Sequence, residues 1–329
     1  FAMIPRIKFA NLPTPIEPLV RLGKALGGVN LWVKRDDLTG LAFGGNKTRK
    51  LEYVLAGALE RNAKTLITVG SVQSNHCRQT AALAARYGLD CILVLSGDAL
   101  QKPSGNLWLD QLLGAEIVWT NREERMAVFE KVFKEAQAGG REPYLIPLGA
   151  SDGVGTLGYV TAFSEFLEQG IDVDWIIVAS SSAGTQAGLA LGAKQAGWRG
   201  KVLGISIDHP SQDLQCEVAR LANEAAKILG WNIFIKPEDI LVDDHYLGQG
   251  YGVMGKVEID AIRQFAVNEG LLLDPVYTGR AAAGMIDLIQ KGFFKPKDRI
   301  LFWHTGGTPA LFAENYVSKF LEMKSGEAK

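Results

Sequence analysis

The chain has 329 residues, of which 47% are hydrophobic and 22% are charged, and its formal net charge is −1. This balance is typical of a folded globular protein of about two domains, and it excludes a disordered chain. No long run of one charge sign occurs, so the sequence indicates neither a nucleic-acid track nor a membrane-surface patch.

Cysteine and histidine usage argues against disulfide and metal frameworks. The three cysteines are odd in number and lack CxxC spacing, and the four histidines are scattered. No apolar run reaches the roughly 20 residues that span a bilayer, and the N-terminus lacks a signal-peptide pattern. We therefore expect a cytoplasmic protein that binds no metal, membrane or nucleic acid.

Short apolar strands alternate with helical stretches along the chain. The predicted strands are Leu31–Lys34, Thr65–Val69, Cys91–Leu95, Ile117–Trp119, Tyr144–Ile146, Trp175–Val178, Val202–Ile207, Phe234–Ile235 and Ile300–Trp303. The predicted helices cover residues 47–62, 75–87, 106–113, 122–138, 159–167 and 189–195. Continuous apolar strands alternating with helices predict an α/β fold, with parallel sheets covered on both faces.

A glycine loop opens the first long helix with the sequence Gly44-Gly45-Asn46-Lys47. The glycines accept unusual backbone angles and let another group approach the chain closely. Asn46 is the predicted N-cap, so Lys47 falls in the first helical turn. A cation there opposes the helix dipole, which favours a neutral, nucleophilic amine. The alternative is a solvated lysine at a helix start.

The segment Gly153–Gly158 matches the dinucleotide fingerprint G-x-G-x-x-G. This segment follows a proline-containing stretch and comes after several predicted βα units. The dinucleotide fingerprint normally lies in one of the first βα units of a chain. We therefore interpret the segment as a glycine-rich hinge or active-site loop rather than a nicotinamide site.

The turn at residues 180–188 has the composition of an anion site. Small residues between a strand and a helix leave backbone N–H groups free, and the helix dipole adds positive potential. Hydroxyls of Ser182 and Thr185 can complete the coordination of a phosphate. Since the G-K-[ST] ending of a nucleotide loop is missing, a phosphate on a small cofactor is indicated. The alternative is a tight corner that needs small residues.

The turn at residues 70–75 has the same design with different chemistry. Ser74 and Asn75 come where a helix begins after a strand, and His76 and Arg78 follow. We interpret this turn as a second anion site, for a substrate carboxylate. The three helix starts together suggest one pocket for a phosphorylated cofactor and an anionic substrate.

Two C-terminal stretches fit this pocket, because parallel sheets bind ligands at the carboxyl ends of their strands. In Leu271–Arg280, Tyr277 occupies a proline-set turn and is available for stacking or proton transfer. In Leu301–Thr308, a strand ends in a polar, glycine-rich loop where Thr305 is available to bond a ring atom. Each stretch alone is equally compatible with ordinary core or loop structure.

The motifs extend through nearly the whole chain, at Pro13–Pro15, Lys34–Asp37, Gly44–Leu51, Gln73–His76, Ser181–Leu189, Gly250–Gly252, Leu273–Arg280 and His304–Gly307. Together they resemble the pyridoxal-phosphate (PLP) enzymes of the 1-aminocyclopropane-1-carboxylate deaminase/D-cysteine desulfhydrase family. This family has the two-domain fold type II of the tryptophan synthase β-like enzymes. The resemblance implies a small domain at residues 48–158, a large PLP-binding domain at 1–47 and 159–329, and a homodimer.

The resemblance also assigns roles to individual residues. It implies that Lys47 bonds covalently to PLP and that Asn75 faces the phenolic oxygen of the cofactor. It implies that the phosphate is held by Lys50 and by the turn of Ser182, Ala183, Gly184 and Thr185. It implies that Ser74, Tyr251 and Tyr277 lie beside the substrate, where the helix start at 74–78 adds Asn75, His76 and Arg78. Lys47, Ser74 and both tyrosines are expected to take part in catalysis.

Within the family, two threonines favour elimination over ring opening. In the deaminase branch a glutamate follows the active-site tyrosine and contacts the pyridine nitrogen, whereas this chain has Thr278 there. The residue after His304, leucine in that branch, is Thr305 here. A hydroxyl at the nitrogen gives a weaker electron sink than a carboxylate, which suits loss of a good leaving group from Cβ.

D-cysteine, which loses sulfide, is the expected substrate. L-cysteate, which loses sulfite, is the alternative, since related sulfo-lyases share these motifs and Arg78 is available to pair with a sulfonate. Ring opening of 1-aminocyclopropane-1-carboxylate is a weaker alternative. A non-catalytic small-molecule binder with the same fold is the alternative from a different functional class.

Overall fold

The computed structural model describes residues 4–98 and 102–326. In this part of the chain the strands are β1 Ile16–Pro18, β2 Asn30–Arg35, β3 Thr65–Ser71, β4 Asp90–Ser96, β5 Glu116–Thr120, β6 Pro143–Leu145, β7 Trp175–Ser180, β8 Lys201–Ser206, β9 Leu241–Asp243 and β10 Arg299–His304. The helices are α1 Val20–Ala25, α2 Asn46–Glu60, α3 Asn75–Tyr87, α4 Gly105–Leu112, α5 Arg125–Ala138, α6 Gly153–Glu168, α7 Gly184–Gln195, α8 Ser211–Ile228, α9 Lys256–Glu269, α10 Thr278–Gln290 and α11 Glu314–Gly326. Single 3₁₀ turns occur at Asp36–Leu38, Leu148–Ala150, Pro237–Asp239 and Thr308–Phe312.

The strands form two sheets, which confirms the predicted α/β class. The larger sheet has the order β1-β2-β10-β7-β8-β9, and all its pairs are parallel except β1 with β2. The smaller sheet has the order β5-β4-β3-β6 and is entirely parallel. The smaller sheet uses residues 65–145, and the larger one draws on both ends of the chain. The domain limits at 47/48 and 158/159 stay a prediction.

Burial on both faces explains why the central strands are continuous apolar runs. In β3 the first six of seven residues are buried, and in β10 the last five of six are buried. Helices cover both faces of such a sheet, so no polar face is available for alternation. In the described residues, no helix has the length and apolar character that a bilayer crossing demands.

One predicted strand is wrong. Phe234–Ile235 has no ladder partner, and Phe234 is 67% exposed. The backbone N–H and C=O of Ile235 instead bond to the side-chain amide of Asn223 on α8, each at 2.8 Å. Because this amide satisfies the backbone, no sheet pairing is needed. The edge strand next to β8 is β9, a few residues later.

The interpretation of Gly153–Gly158 as a hinge or active-site loop is also wrong. These residues form the first turns of α6, which Asp152 caps by accepting from the Gly155 N–H at 2.7 Å. The glycines permit close helix packing: a Cβ at Gly158 would lie 2.5 Å from the Arg49 carbonyl of α2. On α7, a Cβ at Gly188 would lie 2.4 Å from the Tyr159 Cβ of α6. Helix α6 therefore holds together two helices whose N-termini build the site.

Candidate active site

A cavity of about 790 Å³ lies where strands of both sheets end. This volume is typical of a site for a cofactor with its substrate. The predicted site residues that line it are Lys47, Ser74, Asn75, His76, Ser182, Ala183, Thr185, Tyr251, Tyr277 and Thr305. Carboxyl ends of parallel strands thus converge on one pocket, as expected for this class of sheet.

Lys47 is in the first turn of α2, although the predicted cap is wrong. The N-cap is Gly45, which has φ +121°, and Asn46 is already helical. The Asn46 side chain donates instead to Thr185 Oγ1 at 2.9 Å, and its N–H donates to the Thr305 carbonyl at 3.0 Å. Asn46 therefore ties the lysine-bearing helix to the start of α7 and to the end of β10.

The glycines before Lys47 make room for protein backbone. A Cβ on Gly44, whose φ is +64°, would lie 2.1 Å from the Asp37 carbonyl. A Cβ on Gly45 would lie 3.1 Å from the Thr305 carbonyl. The predicted close approach is therefore that of the glycine loop to the backbone at Asp37 and Thr305. This contact fixes the backbone position from which the Lys47 side chain extends.

The Lys47 amine has a lowered pKa. Its Nζ is 3.0 Å from the Gly149 carbonyl, to which it donates. Burial disfavours the charged form and lowers the pKa from 10.5 to about 8, while the contact with Lys50 acts weakly in the opposite direction. Roughly a tenth of Lys47 is therefore neutral and nucleophilic at about pH 7, far more than of an ordinary lysine.

Lys50 lies one turn further along α2 and is fully buried. It donates to the Gly149 carbonyl at 3.2 Å and to Ser151 Oγ at 3.0 Å, and neither acceptor carries a charge. Burial, and then the nearby Lys47 ammonium, lower the pKa of Lys50 well below 10.5. A buried amine with neutral acceptors gains most from a bound anion, which restores its charge.

The turn before α7 faces Lys50. A Cβ on Gly184 would lie 2.7 Å from Lys50 Nζ and 2.9 Å from Ser151 Oγ, so only glycine leaves this space open. Ser151 Oγ is 2.8 Å from Ser182 Oγ, which brings two hydroxyls to the same space. Ala183 has φ +64°, an uncommon value for a residue with a side chain, and functional turns often hold such strain. The Gly184 N–H donates to the Ser182 carbonyl at 2.7 Å, and the N–H groups that follow it in the first turn of α7 complete an anion cradle.

Ser151 is the member of this cradle that sequence reasoning missed. It lies two residues before the Gly153–Gly158 segment, and nothing in its local sequence marks it. Its contact with Lys50 spans 101 positions in the chain, which only the folded structure brings together.

Asn75 is oriented by a buried network. Its Oδ1 accepts from Arg78 at 2.9 Å and from the Asn106 side-chain amide at 2.9 Å. The amide nitrogen of Asn75 is therefore left as a donor toward the cavity. The expectation that Arg78 contacts substrate is wrong: Arg78 is fully buried, does not line the cavity, and also donates to the Gly44 carbonyl at 2.9 Å.

His76 lines the cavity as a neutral ring. Thr68 Oγ1 donates to the Ile146 carbonyl at 2.9 Å, so it accepts from His76 Nε2 at 2.8 Å. The proton is thus on Nε2, and Nδ1 is a buried acceptor without a partner in the described part of the chain. Burial, reinforced by Lys47 and Lys50, lowers the pKa of His76 well below 6.5.

Three hydroxyls meet on another side of the cavity. Tyr251 Oη is 2.6 Å from Tyr277 Oη and 3.1 Å from Ser71 Oγ at the end of β3. Burial raises the pKa of both tyrosines, so both are protonated at neutral pH. Ser74 caps α3 by accepting from the Cys77 N–H at 3.2 Å, and its own proton remains available to a ligand.

Thr278 does not face the cavity, which corrects its predicted contact with the cofactor. It is fully buried, and its hydroxyl donates to Asp274 Oδ1 and accepts from the Asp274 N–H, both at 2.7 Å. Asp274 was also missed, although Asp before Pro is a common turn opening. Its Oδ2 accepts the N–H groups of Val276 and Tyr277 at 2.9 Å, and so sets the turn that presents Tyr277. Thr305 does line the cavity.

Comparison with known proteins agrees with this geometry. The family model described as pyridoxal-phosphate dependent enzyme matches residues 7–306. A crystal structure of an ACC deaminase homologue is 38% identical, with a TM-score of 0.89 over 98% of this chain and 97% of that one. A pyridoxal 5'-phosphate-dependent aspartate racemase is 19% identical, with a TM-score of 0.65 over 89% of this chain and 90% of that one. The processed threonine deaminase isoform 2 from Solanum lycopersicum is 17% identical, with a TM-score of 0.66 over 94% of this chain and 82% of that one. The last two likenesses concern the fold alone.

The residues present fit pyridoxal 5'-phosphate. The cradle at Gly184 offers hydroxyls, N–H groups and a buried amine without a charged partner, which are the donors that a phosphate dianion needs. A nucleophilic lysine lies next to it, as an aldehyde cofactor requires. The geometry, the family model and the 38% identical homologue agree, and the chain belongs to the family of pyridoxal-phosphate dependent enzymes.

Proposed function

We propose that this chain is a carbon–sulfur lyase that carries out β-elimination on D-cysteine. The overall reaction consumes water and gives pyruvate, hydrogen sulfide and ammonia. The proposal combines the sequence resemblance to the D-cysteine desulfhydrase branch with one feature of the site, which is the partner available to the pyridine nitrogen of PLP.

That feature is the absence of a carboxylate: Thr278 stands where the deaminase branch has a glutamate, and Thr305 stands where that branch has a leucine. The Thr278 hydroxyl is fully engaged with Asp274, and the hydroxyl at the end of β10 belongs to Thr305, which is 6% exposed. A hydroxyl does not enforce protonation of the ring nitrogen as a carboxylate does. The weaker electron sink that results is adequate when sulfur leaves from Cβ, and it is poorly suited to opening a cyclopropane.

The protein groups divide the proton transfers between them. PLP, when bound, acts as the electron sink that acidifies the substrate Cα–H. Lys47, with its pKa lowered to about 8 by burial, is suited to accept that proton. Tyr251 and Tyr277 stay protonated because burial raises the pKa of each, so they are suited to donate a proton to the departing sulfur. Ser74 and the start of α3 are suited to bind the substrate carboxylate.

Steady-state turnover of three substrates tests the proposal. The holoenzyme is assayed with D-cysteine for sulfide, L-cysteate for sulfite and 1-aminocyclopropane-1-carboxylate for its keto acid. We expect the highest kcat/KM for D-cysteine. Fastest turnover of the cyclopropane would refute the argument from Thr305. Tight binding of PLP without turnover of any of the three would favour the non-catalytic binder.

L-cysteate remains a second candidate because of Arg125. This half-buried residue lines the cavity, and its Nε is buried without a partner among the described residues. It therefore replaces Arg78 as the cation available to a sulfonate. If L-cysteate is the substrate, Arg125→Gln should lower kcat/KM for L-cysteate by more than about tenfold and change D-cysteine turnover by less than about twofold.

Two further proposals rest on the resemblance alone. The first is a homodimer, which sedimentation velocity of the holoenzyme tests. The second is the division into domains at 48–158 and at 1–47 with 159–329, which limited proteolysis tests through cuts near these limits.

A further inference from the structure

Arg280 is a buried cation that the proposed chemistry does not use. It lies on α10, three residues after Tyr277, and is 1% exposed. Its Nε donates to Glu258 Oε1 at 2.9 Å, so the charge is paired. The rest of its guanidinium donates to three backbone carbonyls, those of Ile207 (2.8 Å), Gly250 (3.1 Å) and Val253 (2.9 Å).

Two of these carbonyls belong to the irregular segment 247–255, which carries Tyr251. Gly250 and Gly252 on either side of Tyr251 have φ of +107° and +76°. Glycines at such angles allow many conformations in a free loop, so a single conformation needs outside support. Arg280 supplies bonds on both sides of the tyrosine, at positions 250 and 253.

The same support continues at the end of the segment. Glu258, the partner of Arg280, accepts the Gly255 N–H through its other oxygen at 2.9 Å. The Tyr316 hydroxyl donates to the Gly252 carbonyl at 2.8 Å. The segment is thus held by side chains of three helices, α9, α10 and α11.

The position of Tyr251 matters because its hydroxyl joins both sheets. It lies 2.6 Å from the Tyr277 hydroxyl beside the larger sheet and 3.1 Å from Ser71 Oγ on β3 of the smaller one. Helix α10 begins directly after Tyr277 and carries Arg280 one turn later. One helix therefore sets one tyrosine directly and the other through its arginine.

We propose that Arg280 is a positioning residue that holds segment 247–255 so that the Tyr251 hydroxyl contacts Tyr277 and Ser71. Arg280 acts through backbone carbonyls and does not touch the cavity. A planar guanidinium reaches several carbonyls at once, and a lysine ammonium in its place cannot reproduce this fork. The catalytic part of the proposal rests on the proposed β-elimination, whereas the structural part does not.

Hydrogen exchange and kinetics of matched variants test it. The set is Arg280→Met, Arg280→Lys, Tyr251→Phe and the double variant Arg280→Met/Tyr251→Phe, all as holoenzymes. The control is Arg220→Met, since Arg220 pairs with Glu217 and Glu224 on the surface of α8. We expect Arg280→Met to speed amide exchange in 247–255 by about tenfold or more and to leave PLP content unchanged. The control should match the wild type.

Non-additivity separates positioning from general structural damage. If Arg280 acts only through Tyr251, Arg280→Met should lower kcat about as much as Tyr251→Phe does. The kcat of the double variant should then lie within about twofold of the kcat of Tyr251→Phe. Arg280→Lys should fall between Arg280→Met and the wild type. Should Arg280→Met fail to fold because Glu258 is left unpaired, Arg280→Lys alone carries the exchange and kinetic tests.

Two outcomes would overturn the inference. One is wild-type exchange in 247–255 in both folded Arg280 variants. The other is a multiplicative loss of kcat when the Arg280 and Tyr251 substitutions are combined. If the wild type turns over none of the three substrates, the proposed function fails, and the exchange measurement still decides whether Arg280 holds the segment.

Discussion

The ionisation of Lys47 gives a quantitative prediction about cofactor capture. The perturbation is pH, which changes the neutral fraction of this amine. An ordinary lysine has a pKa of 10.5, and burial lowers that of Lys47 to about 8. At about pH 7.5, roughly a quarter of such a group is neutral, against about one part in a thousand for an ordinary lysine. The neutral fraction is therefore about 200-fold larger.

The assay is stopped-flow absorbance of apoenzyme mixed with PLP across about pH 6.5 to 10.5. The apparent rate of covalent capture should rise with pH and level off above a midpoint near 8. Nα-acetyl-lysine, mixed with PLP in the same buffers, reports the behaviour of an unperturbed amine and corrects for ionisation of PLP itself. A protein profile parallel to that of the free amine would refute the burial argument.

Three further predictions concern single residues. Gly158→Ala should destabilise the protein by about 1–3 kcal/mol, because its Cβ would lie 2.5 Å from the Arg49 carbonyl; urea unfolding measures this, and an unchanged midpoint contradicts it. Asn75→Ala should shift the visible absorbance of bound PLP and weaken PLP binding about tenfold. The control Asn121→Ala, at the exposed rim of the cavity, should change neither property. Equal behaviour of the two variants would contradict the assigned orientation of Asn75. His76 is neutral in the folded chain because its pKa is lowered. Below pH 6.5 the unfolded chain therefore binds a proton that the folded chain does not, and the free energy of unfolding decreases as the pH decreases. In unfolding of the apoenzyme at several pH values, His76→Gln should flatten this fall by up to about 1.4 kcal/mol per pH unit, and an unchanged slope would count against it.

Much of the fold could be predicted because periodicity is local. Helix α3 begins and ends where the sequence indicates, since Ser74 caps it and Gly88 with φ +67° ends it. The predicted strand at 234–235 is wrong because the Asn223 side-chain amide bonds to the backbone N–H and C=O of Ile235. That competition depends on a helix 12 positions away, and no local pattern reports it.

The site was predictable in part for the same reason. Lys47 and the turn at Ala183–Thr185 have local signatures, because helix starts and small-residue turns are visible in sequence. Burial of a side chain is not visible in the local sequence, which is why ligand contacts are wrongly predicted for Arg78 and Thr278. In the structure the Arg78 side chain donates to Asn75, and the Thr278 hydroxyl donates to Asp274. Ser151 escaped notice because its role depends on a neighbour 101 positions away.

Peptide mapping of the reduced holoenzyme identifies the residue that bonds covalently to PLP. The holoenzyme is reduced with borohydride, which makes the link to the cofactor permanent, and its peptides are mapped by mass spectrometry. We expect the pyridoxyl group on Lys47 alone, with no modification of the neighbouring Lys50, whose amine is held toward the anion cradle. Modification of Lys50, or of a lysine outside the cavity, would contradict this expectation.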